Sequence, residues 1–190
     1  MRMNQRYIIL VGLIFIWAFP VNGEINTEDH KCLLPAQDFK EVSDCVKLSK
    51  KGHLFIAPQY LRQLSFGKSG LAVVYSKEEG WMYVNRKGRV IISGVAAIDN
   101  GADVFHDGLV RFSQDKKWGF ADKRGRIVVP PIYDGAMNFE NGLAKVCRGC
   151  RLECAESECE HHGFAGGEWF YINTKGKIVK KTMSKEVSYE

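Results

Sequence analysis

The chain has 190 residues, 45% of them hydrophobic and 26% charged, and 27 Lys and Arg against 22 Asp and Glu give a formal net charge of +5. That length suits a single domain with a continuous core and argues against several. The basic balance is too mild to select any partner by itself.

Residues 1–23 join Arg2 and Arg6 to the apolar run Tyr7 to Phe19, then to Pro20 and the small-residue end Val21-Asn22-Gly23. This is the pattern of a secretory signal peptide. Thirteen apolar residues are few for a span that needs about 20, so cleavage after Gly23 is expected over retention as an anchor. No cysteine follows closely enough for lipid attachment. The expectation is an exported protein, periplasmic or secreted, with no stable membrane span after cleavage. Export also removes the chain from nucleic acid, which is not expected as a partner. Without Arg2 and Arg6 the charge falls from +5 to +3 over residues 24–190.

Residues 24–44 read as a polar lead with Cys32, Pro35 and a short helical turn around Asp38 to Asp44, capping the first unit of a repeat array. That array runs from residue 45 to 181. The clearest unit is Trp118-Gly119-Phe120-Ala121-Asp122-Lys123-Arg124-Gly125-Arg126-Ile127-Val128-Val129-Pro130-Pro131-Ile132-Tyr133-Asp134. An alternating aromatic segment runs into a turn, and a β-branched run ends at two prolines, which is a hairpin signature. Asp first and Gly fourth suit a type I turn with a left-handed glycine and a bulge. The turn recurs at Ser49-Lys50-Lys51-Gly52, Asn85-Arg86-Lys87-Gly88 and Asn173-Thr174-Lys175-Gly176.

Trp81, Trp118 or Trp169 stands seven residues before its glycine, and Tyr83, Phe120 or Tyr171 stands five before, so each pair shares a strand face. In the first copy Cys45 takes the tryptophan position, and Leu54 to Ile56 with Pro58 and Tyr60 imitates Ile127 to Tyr133. That unit is present only as its second half. An entry strand precedes each later hairpin, at Gly70-Leu71-Ala72, Phe105-His106-Asp107-Gly108-Leu109-Val110 and Phe139-Glu140-Asn141-Gly142-Leu143-Ala144. The expectation is an all-β fold, an antiparallel meander or solenoid-like array of about three full units after a partial first, with a tail at 182–190.

These motifs resemble the WG-repeat family through the Trp118-Gly119 pair, the Asp-x-x-Gly turn, the Pro-Pro-x-Tyr-Asp stop and the Phe-x-x-Gly-Leu-Ala entry. Met82 and Phe170 stand where the family glycine falls, and the unit from 70 to 105 lacks the Pro-Pro stop. The resemblance implies a binding or scaffolding module and brings no family-wide catalytic residues.

The tip between entry strand and tryptophan strand runs 11 residues from Gly70 to Trp81 and 10 from Gly108 to Trp118, but 27 from Gly142 to Trp169. The enlarged insert, 147–168, holds Cys147, Cys150, Cys154, Cys159, His161 and His162. An exported chain with six cysteines, including Cys32 and Cys45, favours disulfides, with connectivity open. Cys32 and Cys45 then pair with each other or with the insert. The alternative is zinc, held by Cys147 and Cys150 with two further ligands from Cys154, Cys159, His161 and His162. Redox catalysis by the C-x-x-C lacks a helix N-terminus to activate a thiol.

Lys51, Lys87, Arg124 and Lys175 each precede a turn glycine. If the units stack in register these cations form a ridge for an anionic surface or acidic glycan, the other suspected partner being a protein. The bland reading is that lysine-rich turns keep β-edges soluble. The recurring tryptophans and their partners read as core, and Tyr60 and Tyr133 as the more exposed aromatics. No Gly-rich phosphate loop, G-x-S-x-G or H-E-x-x-H occurs, and Asp99, Asp103 and Asp107 read as loop solvation. The expected function is non-catalytic binding without a cofactor. Sequence leaves the partner and the oligomeric state open.

Overall fold

The computed structural model describes residues 31–35, 38–98, 101–154, 162–182 and 188–189, so the expected signal peptide lies outside them. Every strand pair they form is antiparallel. The lead contributes β1 (Cys32–Leu34) and β2 (Lys40–Val42), and the partial first unit contributes β3 (Val46–Leu48) and β4 (Leu54–Ile56). A 3₁₀ helix, Pro58–Gln63, follows. The second unit is β5 (Leu71–Ser76), β6 (Gly80–Asn85) and β7 (Val90–Val95), trailed by the small hairpin β8 (Ala97–Ile98) and β9 (Gly101–Ala102). The third is β10 (Leu109–Gln114), β11 (Lys117–Asp122) and β12 (Ile127–Tyr133). The fourth opens with β13 (Gly135–Glu140) and β14 (Leu143–Arg148), carries the insert strands β15 (Arg151–Cys154) and β16 (His162–Ala165), and closes with β17 (Glu168–Asn173) and β18 (Ile178–Thr182). A last strand, β19 (Ser188–Tyr189), pairs with β16.

The second and third units lie side by side in an eight-stranded sheet, ordered β12-β11-β10-β7-β6-β5-β1-β2, and the fourth forms its own sheet, β13-β14-β17-β18. The all-β meander expected from the repeats is therefore present, divided between two main sheets. The ladder between units two and three holds one residue pair, Phe112 with Val95, beside a bond from Ala96 N–H to the Arg111 carbonyl at 3.1 Å.

The lead differs from expectation. Residues 38 to 44 are not a helical turn: Asp38 and Phe39, left-handed with φ of 50° and 57°, lead from the connection after Leu34 directly into β2. β2 pairs with β1, which adds to the edge strand β5. The β domain thus begins before residue 45. A disulfide, Cys32 to Cys45 with Cα atoms 6.0 Å apart, ties this hairpin to the first unit.

Hydrophobic residues cover both faces of the tryptophan strands. On β6, Trp81 and Tyr83 pack with Ile92 and Phe112, while Met82 and Val84 face Leu34, Cys45 and Ile56. On β17, Phe170 and Ile172 join Phe120, Phe139 and Tyr133, while Trp169 packs with Cys147, Cys150 and Phe164. Trp118 is only half-buried and meets Phe164 edge-on at 5.8 Å between ring centroids.

Both tyrosines expected at the surface are placed otherwise. Tyr133 is buried, because the strand bulges at Pro130 and Pro131 and brings Tyr133 back opposite Trp118, its ring turned into the cluster of Phe120 and Phe139. Tyr60 is half-buried in the 3₁₀ helix, which folds over the first core cluster, and its hydroxyl donates to the Ser43 carbonyl at 2.9 Å.

The bulge also explains why the third unit alone keeps Trp-Gly. Between Trp118 and Phe120 stands one residue, Gly119, but between their partners Tyr133 and Val129 stand three. The extra chain presses on Gly119, where a Cβ would lie 2.6 Å from the Val129 carbonyl oxygen and 2.8 Å from the Pro131 nitrogen. In the fourth unit Trp169, Phe170 and Tyr171 pair one for one with Thr182, Lys181 and Lys180, and a side chain fits at Phe170. Glycine and the double proline are one steric device, lost together. Gly119→Ala is expected to cost about 1–3 kcal/mol through overpacking, read as a lowered midpoint in thermal unfolding.

Candidate functional site

Each turn is built alike. The first residue accepts backbone N–H bonds from the third and fifth: Asn85 Oδ1 from Lys87 and Arg89 at 3.0 Å, Asp122 Oδ1 from Arg124 at 2.9 Å and Arg126 at 3.0 Å, and Asn173 Oδ1 from Lys175 and Lys177 at 3.0 Å. Ser49 Oγ does the same for His53 N–H at 3.0 Å. A short side-chain acceptor is needed at that position because it replaces a backbone turn partner. Burial opposes ionisation of Asp122, but the Arg126 N–H, its guanidinium and the Arg124 N–H outweigh that and hold the carboxyl below the usual carboxylate range.

The turn glycines have φ between 75° and 80°, which L side chains adopt only under strain. Three of them also sit against the preceding unit. Gly88 lies on Ile56 and Leu61, its carbonyl accepting from Ile56 N–H at 2.8 Å; Gly125 lies on Ile91 and Gly176 on Val129. Ile56, Ile91 and Val129 stand four, three and four residues after the previous turn glycine. The three later turns therefore dock on the outgoing strand of the unit before. The stacking is in register.

Residue 3 of each turn points outward. Lys51, Lys87, Arg124 and Lys175 are all exposed, and no ion pair with them is found among the described residues. Residue 2 behaves differently in the middle units. Arg86 lies over the Phe66 ring at 5.1 Å and Lys123 over Phe105 at 5.6 Å, equivalent pairs in successive units. Stacking of a cation on a ring restricts it at small energetic gain, so the second cation is held while the third is free to reach. Neither Tyr60 nor Tyr133 belongs to this surface, since one is half-buried and the other buried.

The geometry repeated through the third unit agrees with one comparison. Residues 118–149 match the family model of the WG containing repeat. The matched stretch runs from the tryptophan strand of the third unit through the entry strand of the fourth, and includes Gly119, the bulge and the Arg124 turn. No curated protein and no solved structure matches the chain.

Within the insert, Cys147 and Cys150 form a disulfide with Cα atoms 5.9 Å apart. The two sulfurs that the zinc reading takes as its first ligands are thus bonded to each other. Cys159 and His161 lie outside the described residues, and for Cys154 and His162 the structure describes the backbone, where the two pair between β15 and β16. Among the described residues no group of three His, Cys, Asp or Glu side chains is placed to hold a metal ion. No described helix is long and apolar enough to cross a membrane.

Sequence reasoning missed the charged group at the centre of the fold. Asp103 and Arg111 are both buried, joined Oδ2 to Nε at 2.8 Å, and Arg111 also donates to the Ala136 carbonyl at 3.0 Å. Tyr83 donates to the Asp103 carbonyl at 2.7 Å, and burial, then the Asp103 charge, pushes its hydroxyl up to about 12. Asp107 is likewise no mere solvated loop residue: its Oδ2 accepts from Gly142 N–H at 2.7 Å, linking two successive entry turns. Asp103 and Asp107 therefore hold units together, which corrects their reading as loop solvation.

Proposed function

We propose that this chain is an exported, non-catalytic binding module that engages an extended polyanionic surface, acidic glycan or anionic lipid, along its basic turns. The observation that carries this reading is the shared docking of the turn glycines on the preceding unit, which spaces the four exposed cations by the repeat. Such an array has no single deep pocket and binds through many weak contacts. Each exposed contact contributes about 1 kcal/mol or less.

The test compares wild type with the variant Lys51→Gln, Lys87→Gln, Arg124→Gln and Lys175→Gln on vesicles containing phosphatidylserine and on immobilised polygalacturonate. At low ionic strength the wild type is expected to be retained by at least one, and the fourfold variant to bind more weakly on the order of a hundredfold. Equal retention of both proteins, or retention of neither, would leave the ridge as a set of soluble turns. The two supports distinguish a lipid surface from a glycan.

A further inference from the structure

Where the lead, the second unit and the third unit meet, the fold leaves a cleft of about 540 Å³. That volume lies within the roughly 300–1,000 Å³ of small-ligand sites. Leu71 and Tyr83 form its floor and are buried; Phe105 and Val104 form a wall. Val104 is 57% exposed, and Phe105 stacks on Tyr83 with ring centroids 4.8 Å apart. The rim carries the exposed hydroxyls of Ser65 and Ser69 and the amine of Lys123. Among the described residues, one cation and no carboxylate line the cleft.

We propose that this cleft binds a small organic monoanion, a carboxylate carried on an apolar body. Its apolar body lies on Leu71, Tyr83 and Phe105, and its carboxylate faces Lys123. The Phe105 ring already holds Lys123 at the mouth, so less side-chain freedom is lost when the anion arrives. A single lining cation selects a monoanion over a phosphate dianion. Val104 has no cover in the free protein and gains it from the ligand. A second groove, of about 550 Å³, provides an internal contrast: Glu78, Glu79 and Ser93 line it, with no cation among the described residues. A monoanion is disfavoured there by charge. The site goes beyond the basic ridge and does not depend on it, since Lys51, Lys87, Arg124 and Lys175 do not line the cleft.

The experiment is titration of the ¹⁵N-labelled chain with octanoate, with 2-naphthoate and with the uncharged 2-naphthamide, followed by amide chemical shifts. Saturable shifts confined to residues 65–73, 83, 104–105 and 123 are expected with one or both carboxylates, the acyl and aryl probes reporting which body fits. The amide is expected to bind about three- to fivefold more weakly than naphthoate, and Lys123→Gln to remove that difference, as suits one exposed charge contact. Val104→Glu, at an exposed position, is expected to abolish carboxylate binding by placing a like charge at the mouth. Arg124→Gln, which weakens the ridge, is expected to leave the cleft affinity unchanged. No saturable shift with either carboxylate, shifts centred on Glu78, Glu79 and Ser93, or equal affinity of naphthoate and its amide would overturn the proposal. A failure of polyanion retention with these shifts intact would count against the ridge alone.

Discussion

Asp103→Ala is expected to destabilise the protein by about 3–5 kcal/mol, the cost of leaving a buried charge without its partner. Asp103 and Arg111 are respectively 0% and 1% exposed, so water does not take over the lost role. Arg111 also reaches Ala136 in β13, and through it the eight-stranded sheet is tied to the four-stranded one. The measurement is chemical denaturation of both proteins with disulfides intact. The double variant Asp103→Ala with Arg111→Met is expected to recover much of the loss, since an apolar side chain of similar length removes the stranded charge. A single variant as stable as wild type would show that Arg111 reaches solvent in the folded protein.

Trp169→Ala is expected to cost about 3–5 kcal/mol, the range for emptying a buried aromatic position. Trp169 is fully buried, its indole N–H donates to the Gly166 carbonyl at 3.0 Å, and Lys145 lies over its ring at 4.8 Å. Its cavity would open against the Cys147 to Cys150 disulfide and Phe164. Trp118→Ala, at a half-buried position, is expected to cost about 1.5–3 kcal/mol, in line with the smaller area returned to water. Equal unfolding midpoints for the two variants would contradict this ordering.

The turns were legible because their chemistry is local. A short acceptor first and a glycine fourth dictate the same hydrogen bonds wherever they occur, and Asn85, Asp122 and Asn173 make them identically. The β-branched runs and tryptophan strands followed from the same locality. What the sequence did not reveal depends on neighbours far along the chain. Tyr133 follows two prolines, which suggested a strand end, yet the bulge over Gly119 carries it inward. Arg111 sits at the repeat position occupied by Val73 and Lys145, so its place in the repeat does not announce burial. The available signal was Val110 and Phe112 on either side in a strand covered on both faces, where an arginine must find a buried partner. The hairpin of β1 and β2 was hidden because its left-handed residues are Asp38 and Phe39 rather than glycine. The cleft beside Phe105 arises from three separate segments, and no spacing in the sequence brings Pro35, Ser65 and Lys123 together.

Distribution of binding over cations spaced by the repeat can be measured by salt titration of a graded series. Lys87→Gln is extended stepwise to include Arg124→Gln, Lys175→Gln and Lys51→Gln, and affinity for the retained polyanion is measured at each ionic strength. Release of counterions makes the logarithm of affinity fall with the logarithm of salt, with a slope set by the number of charges engaged. Each substitution is expected to flatten the slope by a similar step, on the order of one per charge removed. A slope unchanged through all four substitutions, or abolished by one of them, would contradict distributed binding.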